Sequence, residues 1–173
     1  LIKIFYLSLS NRTNLNRIML LKKPGNTRTQ VSPKNLPILS IHDSCISMGS
    51  CFSLHIADFL KNYGWEIYKS PGGTIYDPYS LSRILKRAVE LKLYKESDFT
   101  KDKAEHYFNF ELHSDYRKES LSDALSHANS MLLKLHTNLK TCSFLFITLG
   151  TSQVHFLKKD ESVVANCHKV PAA

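Results

Sequence analysis

The sequence has no apolar run approaching the roughly 20 residues that a helix needs to cross a bilayer. Its longest apolar stretches are 143–149 and a broken one over 1–10, so a protein without a membrane span is expected. It has no C-x-x-C pair, and none of its four cysteines stands with histidines at zinc spacing, so no metal site is expected. It has no G-x-G-x-x-G, and Gly72-Gly73-Thr74 lacks the lysine and the spacing of a phosphate loop, which leaves nucleotide binding and cofactors of that kind without support. Acidic residues are in the minority: 23 Lys and Arg face 15 Asp and Glu, for a net charge of +8. The basic residues are nevertheless scattered and not gathered into a stripe with interleaved aromatics, so nucleic acid is not expected as a partner. No internal repeat or low-complexity segment is visible.

What is present suits one α/β domain, since 173 residues with 43% apolar content are enough for a core. The N-terminus is a poor signal peptide, because Asn11, Arg12, Asn14, Asn16 and Arg17 stand where small residues should mark a cleavage site. With four thiols, a reducing, cytoplasmic setting is expected. The chain opens on Leu and its first Met is Met19, so residues 1–18 are set aside from fold reasoning as an upstream stretch or a tail of a longer product.

Along the chain, residues 19–37 read as irregular, and Ile38 to Met48 as a strand region ending at Gly49-Ser50-Cys51. Phe52, Ile56, Phe59, Leu60 and Tyr63 then recur at helical spacing until Gly64. Trp65 to Tyr68 alternates as a short strand and runs into Ser70-Pro71-Gly72-Gly73, a loop by composition. Asp77-Pro78 has the form of an N-cap followed by Pro at the first helical position, ahead of the apolar face Leu81, Ile84, Leu85, Ala88 and Leu91. Residues 94–118 show no clean period and read as loop, with an extended piece around Tyr107 to Leu112. Ser120 and Asp123 resemble a capping box ahead of a helix of about five turns. Phe144 to Leu149, apolar on both faces, reads as a central strand of a parallel sheet, and 154–157 with 162–165 as a hairpin leading to Asn166-Cys167-His168. Together these predict a three-layer αβα sandwich with a mostly parallel sheet, and ligands in such folds bind off the carboxyl ends of the strands. The turns at Gly49 to Cys51 and Gly150 to Ser152 both fall there.

A Gly-Ser-Cys turn between a strand and a helix puts Ser50 at the sheet edge beside unpaired helix N–H groups, a setting that favours developing negative charge. A serine alone is a weak nucleophile and needs a base and oxyanion donors. Cys45 and Cys142, in or beside apolar runs, read as core thiols; Cys51 and Cys167 lie in polar turns. His55 stands one helical turn after Cys51 and reads as a solvated histidine.

Met48-Gly49-Ser50-Cys51-Phe52-Ser53 resembles the eponymous Gly-Ser-Cys-Phe-Ala motif of the GSCFA family, and the similarity runs from about Arg28 to the end of the chain. Ser70-Pro71-Gly72-Gly73-Thr74-Ile75-Tyr76-Asp77-Pro78 is similar to that family's Asn-Pro-Phe-Gly-x-x-Tyr-Asn-Pro segment. His113-Ser114, Gly150-Thr151-Ser152 and Asn166-Cys167-His168-Lys169 follow in family order. The resemblance divides the chain into an irregular lead-in, 1–27, and a domain portion, 28–173. The family is grouped with SGNH hydrolases, so the resemblance implies ester hydrolysis or acyl transfer on a small-molecule or saccharide ester. It makes Ser50 the nucleophile and Gly73 the second-block oxyanion glycine. Gly150-Thr151-Ser152 stands where Gly-x-Asn is usual; Ser152 in place of Asn removes a side-chain donor, and Asn166 is the substitute candidate. Ser53 for Ala, Gly72 for Phe and Asp77 for Asn are further departures. Family members carry a later Ser-Pro-x-x-His segment that supplies the base, so a chain ending at Ala173 is expected to be inactive.

His113 and His168 are candidate pocket residues. The run His113-Ser114-Asp115 is no triad by itself, since consecutive side chains project in different directions. Two alternatives to Ser50 chemistry remain at this level: Cys51 as the nucleophile, and a ligand-binding module without turnover. The sequence leaves the oligomeric state open.

Overall fold

The computed structural model describes residues 3–8 and 38–166. A four-stranded sheet forms its centre, built from β1 (Lys3–Ser8), β2 (Cys45–Gly49), β3 (Ile67–Thr74) and β6 (Phe144–Leu149) in the order β1-β6-β2-β3. β2 runs parallel to both β3 and β6, while β1 lies antiparallel on β6. The expected mostly parallel sheet is therefore present. Within the stretch read as an irregular lead-in, Ile4-Phe5-Tyr6-Leu7 is a run of strand-favouring residues, and it supplies the edge strand.

Strand alternation sorts β2 between two layers. Ser47 hydrogen-bonds the Ser53 carbonyl of α1 (Cys51–Asn62), while Ile46 and Met48, both fully buried, join a core with Leu81 and Ile84 of α2 (Pro78–Val89) and Leu132 and Leu135 of α3 (Leu121–Thr141). One helix thus covers one face and two cover the other, an αβα sandwich. No helix among the described residues is long and apolar enough to cross a membrane.

Helix starts follow the local chemistry. Asp77 accepts from Ser80 N–H at 2.7 Å with Pro78 at the first position, and Ser120 Oγ accepts from Asp123 N–H at 3.0 Å. Strands β2 and β3 depart from the sequence reading in their bounds. The first strand region narrows to 45–49, because Ser40 and Asp43 close a polar turn before it. Ser70-Pro71-Gly72-Gly73 is not a loop leaving the sheet but part of β3. Pairing jumps from Ser47 opposite Lys69 to Gly49 opposite Thr74, so the Pro-Gly-Gly stretch is a bulge that bends the strand and then rejoins it. Gly73, at φ +82°, presses so closely on His113 that a Cβ would meet His113 Cβ at 2.2 Å.

The segment between α2 and α3 is held by side chains. Two-residue strands β4 (Thr100–Lys101) and β5 (Tyr107–Phe108) pair antiparallel, a shorter extended piece than the expected 107–112. Arg83 and Arg87 pair with Glu111, Arg87 stacks on Tyr94, and Arg117 meets Asp102 at 2.5 Å. The hairpin after β6 is β7 (His155–Phe156) with β8 (Val163–Val164), within the expected 154–157 and 162–165.

Candidate active site at the end of the second strand

After β2 the chain reaches β3 on one side, by way of α1 on one face. From β3 it reaches β6 on the other side of β2, by way of α2 and α3 on the opposite face. The carboxyl end of β2 is thus a topological switch point, where departing connections open a crevice in sheets of this kind. Ser50 stands there.

Ser50 is the N-cap of α1, yet it makes no side-chain cap bond. Ser and Asp at the other two α-helix starts do cap, so this serine departs from the usual use of the position. Its hydroxyl lies 2.8 Å from Thr148 Oγ1 of β6, and its own N–H donates to the Thr148 carbonyl at 2.8 Å. Ser50 is 4% exposed and Thr148 is fully buried. Gly49 makes the approach possible: at φ +123°, a Cβ there would lie 2.0 Å from the Thr148 carbonyl oxygen. The Ser50 carbonyl accepts from both the N–H and the hydroxyl of Ser53, which anchors the first turn.

Gly150 lies against Ser50, close enough that a Cβ would sit 3.4 Å from Ser50 Cβ. Its N–H and that of Thr151 both donate to the Tyr76 carbonyl, at 2.9 and 3.2 Å, so the segments leaving β3 and β6 are tied together. Asn166, at φ +64°, completes the tie: its amide donates to the Thr74 carbonyl at 2.7 Å and accepts from Tyr76 N–H at 3.4 Å. A cleft of about 210 Å³ opens beside Gly150, lined by Tyr76, Asp77, Thr151, Gln153, His155 and Asn166.

The sequence-derived candidates thus fall into groups. Ser50, Gly150, Thr151 and Asn166 share one end of the sheet. Gly73 is next to Thr74, which pairs with Gly49, and so borders the same turn from the β3 side. Ser152 is exposed and lies outside the residues lining the cleft. His113 is on the β3 side against Gly73, its backbone N–H on the Gly72 carbonyl at 2.9 Å and its Nδ1 3.1 Å from Asp115 Oδ2. His168 and Cys167 lie outside the described residues. Cys51 is exposed at the first position of α1, whereas Cys45 and Cys142 are buried. Burial, helped by the Asp43 charge, pushes the Cys45 thiol up to about 11, as suits an inert core cysteine.

Sequence reasoning missed three contributors. Thr148 is the one hydroxyl residue inside an otherwise apolar β6, and that oddity was its available signal. Tyr76 acts through its carbonyl, which no sequence pattern reveals. His155 follows the Gly150 turn by five residues, and a histidine so near a strand-end turn was the clue to a place in the cleft.

Chemically, the arrangement offers a hydroxyl at the positive end of a helix dipole, with no acidic residue in the first turn of α1 to offset it. Of the first-turn N–H groups, that of Ser53 is taken by the Ser50 carbonyl, which leaves those of Cys51 and Phe52 to point toward incoming negative charge. No curated protein and no solved structure matches the chain. A family model, the GSCFA family, matches residues 44–173, a span that takes in the Ser50 turn, the β3 bulge, the Gly150 turn and Asn166. The chain belongs to the GSCFA family.

Proposed function

We propose that Ser50 is the nucleophile of an acyl-transfer reaction of the SGNH type, hydrolysing an ester or passing its acyl group to a hydroxyl acceptor. The observation that carries this reading is the serine that occupies a helix N-cap without capping, its hydroxyl turned to Thr148 and its side chain against Gly150. In the reaction the Ser50 proton passes to a base, the Oγ–acyl bond forms, and the ester C–O bond breaks as the alcohol takes that proton. The helix N-terminus stabilises the tetrahedral oxyanion. The N–H groups of Ser50 and Gly150 are engaged with the carbonyls of Thr148 and Tyr76, so the first-turn amides of Cys51 and Phe52 are the better donors. Asn166 braces the strand exits. The base comes from the later histidine of the family pattern.

The alcohol side of the ester takes the cleft beside Gly150. A phenol ring, an imidazole, two amides, the Thr151 hydroxyl and the Asp77 carboxylate line it, which suits a small hydroxyl-bearing group such as a sugar.

A fluorophosphonate probe on the complete protein tests the nucleophile. Ser50→Ala is expected to abolish labelling and to lower esterase turnover by on the order of 10⁴-fold or more. Cys51→Ala is expected to keep both. Loss of labelling in Cys51→Ala, with iodoacetamide marking Cys51 in preference and Ser50→Ala silent, replaces the serine by the thiol.

A further inference from the structure

We infer that Thr148 is a positioning residue for Ser50, its hydroxyl donating to Ser50 Oγ and holding that oxygen beside Gly150 with its own proton free for the base. The inference rests on the reading of Ser50 as nucleophile.

Three observations support it. Thr148 is fully buried in an interior strand whose other residues are Phe, Leu and Ile, a position where a hydroxyl is costly unless it is hydrogen-bonded. Among the described residues, the hydrogen bond recorded for Thr148 Oγ1 is the one to Ser50 Oγ, at 2.8 Å. A hydroxyl has one proton and two lone pairs, so in a pair of hydroxyls one donates and the other keeps its proton for a further partner. Thr148 is sealed inside the sheet. Ser50 lies against Gly150, a residue of the cleft wall, and keeps a slight exposure, so it is the one of the two that an outside acceptor can reach. The assignment that leaves no buried proton unsatisfied therefore has Thr148 donating.

The second observation is duplication. The same residue holds Ser50 through the backbone, by its carbonyl on the Ser50 N–H, and through the side chain. The third is that Ser50 forgoes its N-cap bond, so the Thr148 contact selects its rotamer in place of the helix. As the Ser50 proton leaves, Oγ gains negative charge and the donated hydrogen bond becomes charge-assisted, which strengthens it when it is needed.

The test uses the complete protein and a fluorophosphonate. Its capture forms the Oγ–P bond, breaks P–F, and releases fluoride with the serine's proton. Thr148→Val keeps the shape and the backbone carbonyl but removes the donor. Inactivation at saturating probe should slow about 10- to 100-fold, the range for a hydrogen bond to a charged group, while the half-saturating concentration stays the same. Thr148→Ser should restore the rate to within about threefold, because the hydroxyl alone is required. Wild-type rates in Thr148→Val, with labelling still abolished in Ser50→Ala, overturn the role of Thr148 and leave Ser50 standing. Undiminished labelling in Ser50→Ala overturns the nucleophile itself. If Thr148→Val does not fold, Thr148→Ser decides: a Ser variant as slow as Thr148→Ala assigns the residue to packing and ends the proposal.

Discussion

The end of the sheet around Ser50 and the segment 92–118 between α2 and α3 are both irregular in sequence, yet they are held by opposite means. Around Ser50 the backbone itself approaches closely: a glycine against a carbonyl, two hydroxyls in contact, and two strand exits tied by one carbonyl and one Asn amide. Segment 92–118 is fastened by long charged side chains, with Glu111 between Arg83 and Arg87, and Asp102 against Arg117. Close backbone approach fixes atoms to fractions of an ångström, as a reactive oxygen requires. Ion pairs on flexible stems hold a segment in place with more tolerance. On the proposed role of Ser50, the first region is the place for chemistry and the second is scaffold.

The comparison breaks most sharply at Gly49. Gly49→Ala forces a Cβ to 2.0 Å from the Thr148 carbonyl at a positive φ, and a loss of about 3–5 kcal/mol in urea unfolding is expected. A near-neutral result means that the turn has slack and the contrast fails. Glu111→Ala should cost less, about 1–3 kcal/mol. It takes from Arg87, whose side chain is 12% exposed, its nearest carboxylate and leaves Asp98 at 3.7 Å and the carbonyls of Lys92 and Leu93, while Arg83 at 38% can recover water. It should leave probe labelling of Ser50 unchanged; slowed labelling makes the segment part of the site.

The smallest effect concerns acid. Burial works against an ionised Asp102, but N–H donation from His106, the Arg117 side chain and Ala104 N–H outweigh it and hold the carboxyl below its ordinary value. A carboxylate whose folded value lies below its unfolded one gives its full stabilisation above about pH 4, and that stabilisation is lost as pH falls through the folded value. Stability of Asp102→Asn should accordingly fall less steeply below about pH 4 than that of the parent. Equal slopes mean that Asp102 carries none of the acid response.

Much of the scaffold was legible because its signals are local. Asp77-Pro78 and Ser120 with Asp123 announce helix starts within four residues, and Phe144 to Leu149 announces an interior strand by being apolar on both faces. The Ser50 and Gly150 turns could be assigned to one sheet end because both follow parallel strands. What escaped depends on distant partners. The bulge at Ser70 to Gly73 has loop composition, and only the pairing of Lys69 with Ser47 before it and of Thr74 with Gly49 after it keeps it within the strand. Thr148 meets Ser50 across 98 positions of chain, and Tyr76 acts through a backbone atom that every residue has. Strands β4 and β5, two residues each, are too short to show a period and owe their place to Asp102, Arg117 and their neighbours.

The Tyr76 carbonyl has a consequence for motion. Because it receives the N–H groups of both Gly150 and Thr151, and Asn166 grips the backbone on either side of Ile75, the exits of β3 and β6 and the end of the hairpin cannot loosen one at a time. Three pieces of chain remote in sequence form one opening unit, whose breathing is all-or-none and slower than that of an ordinary surface loop. The cleft wall is then either assembled or absent, with few half-formed states in between.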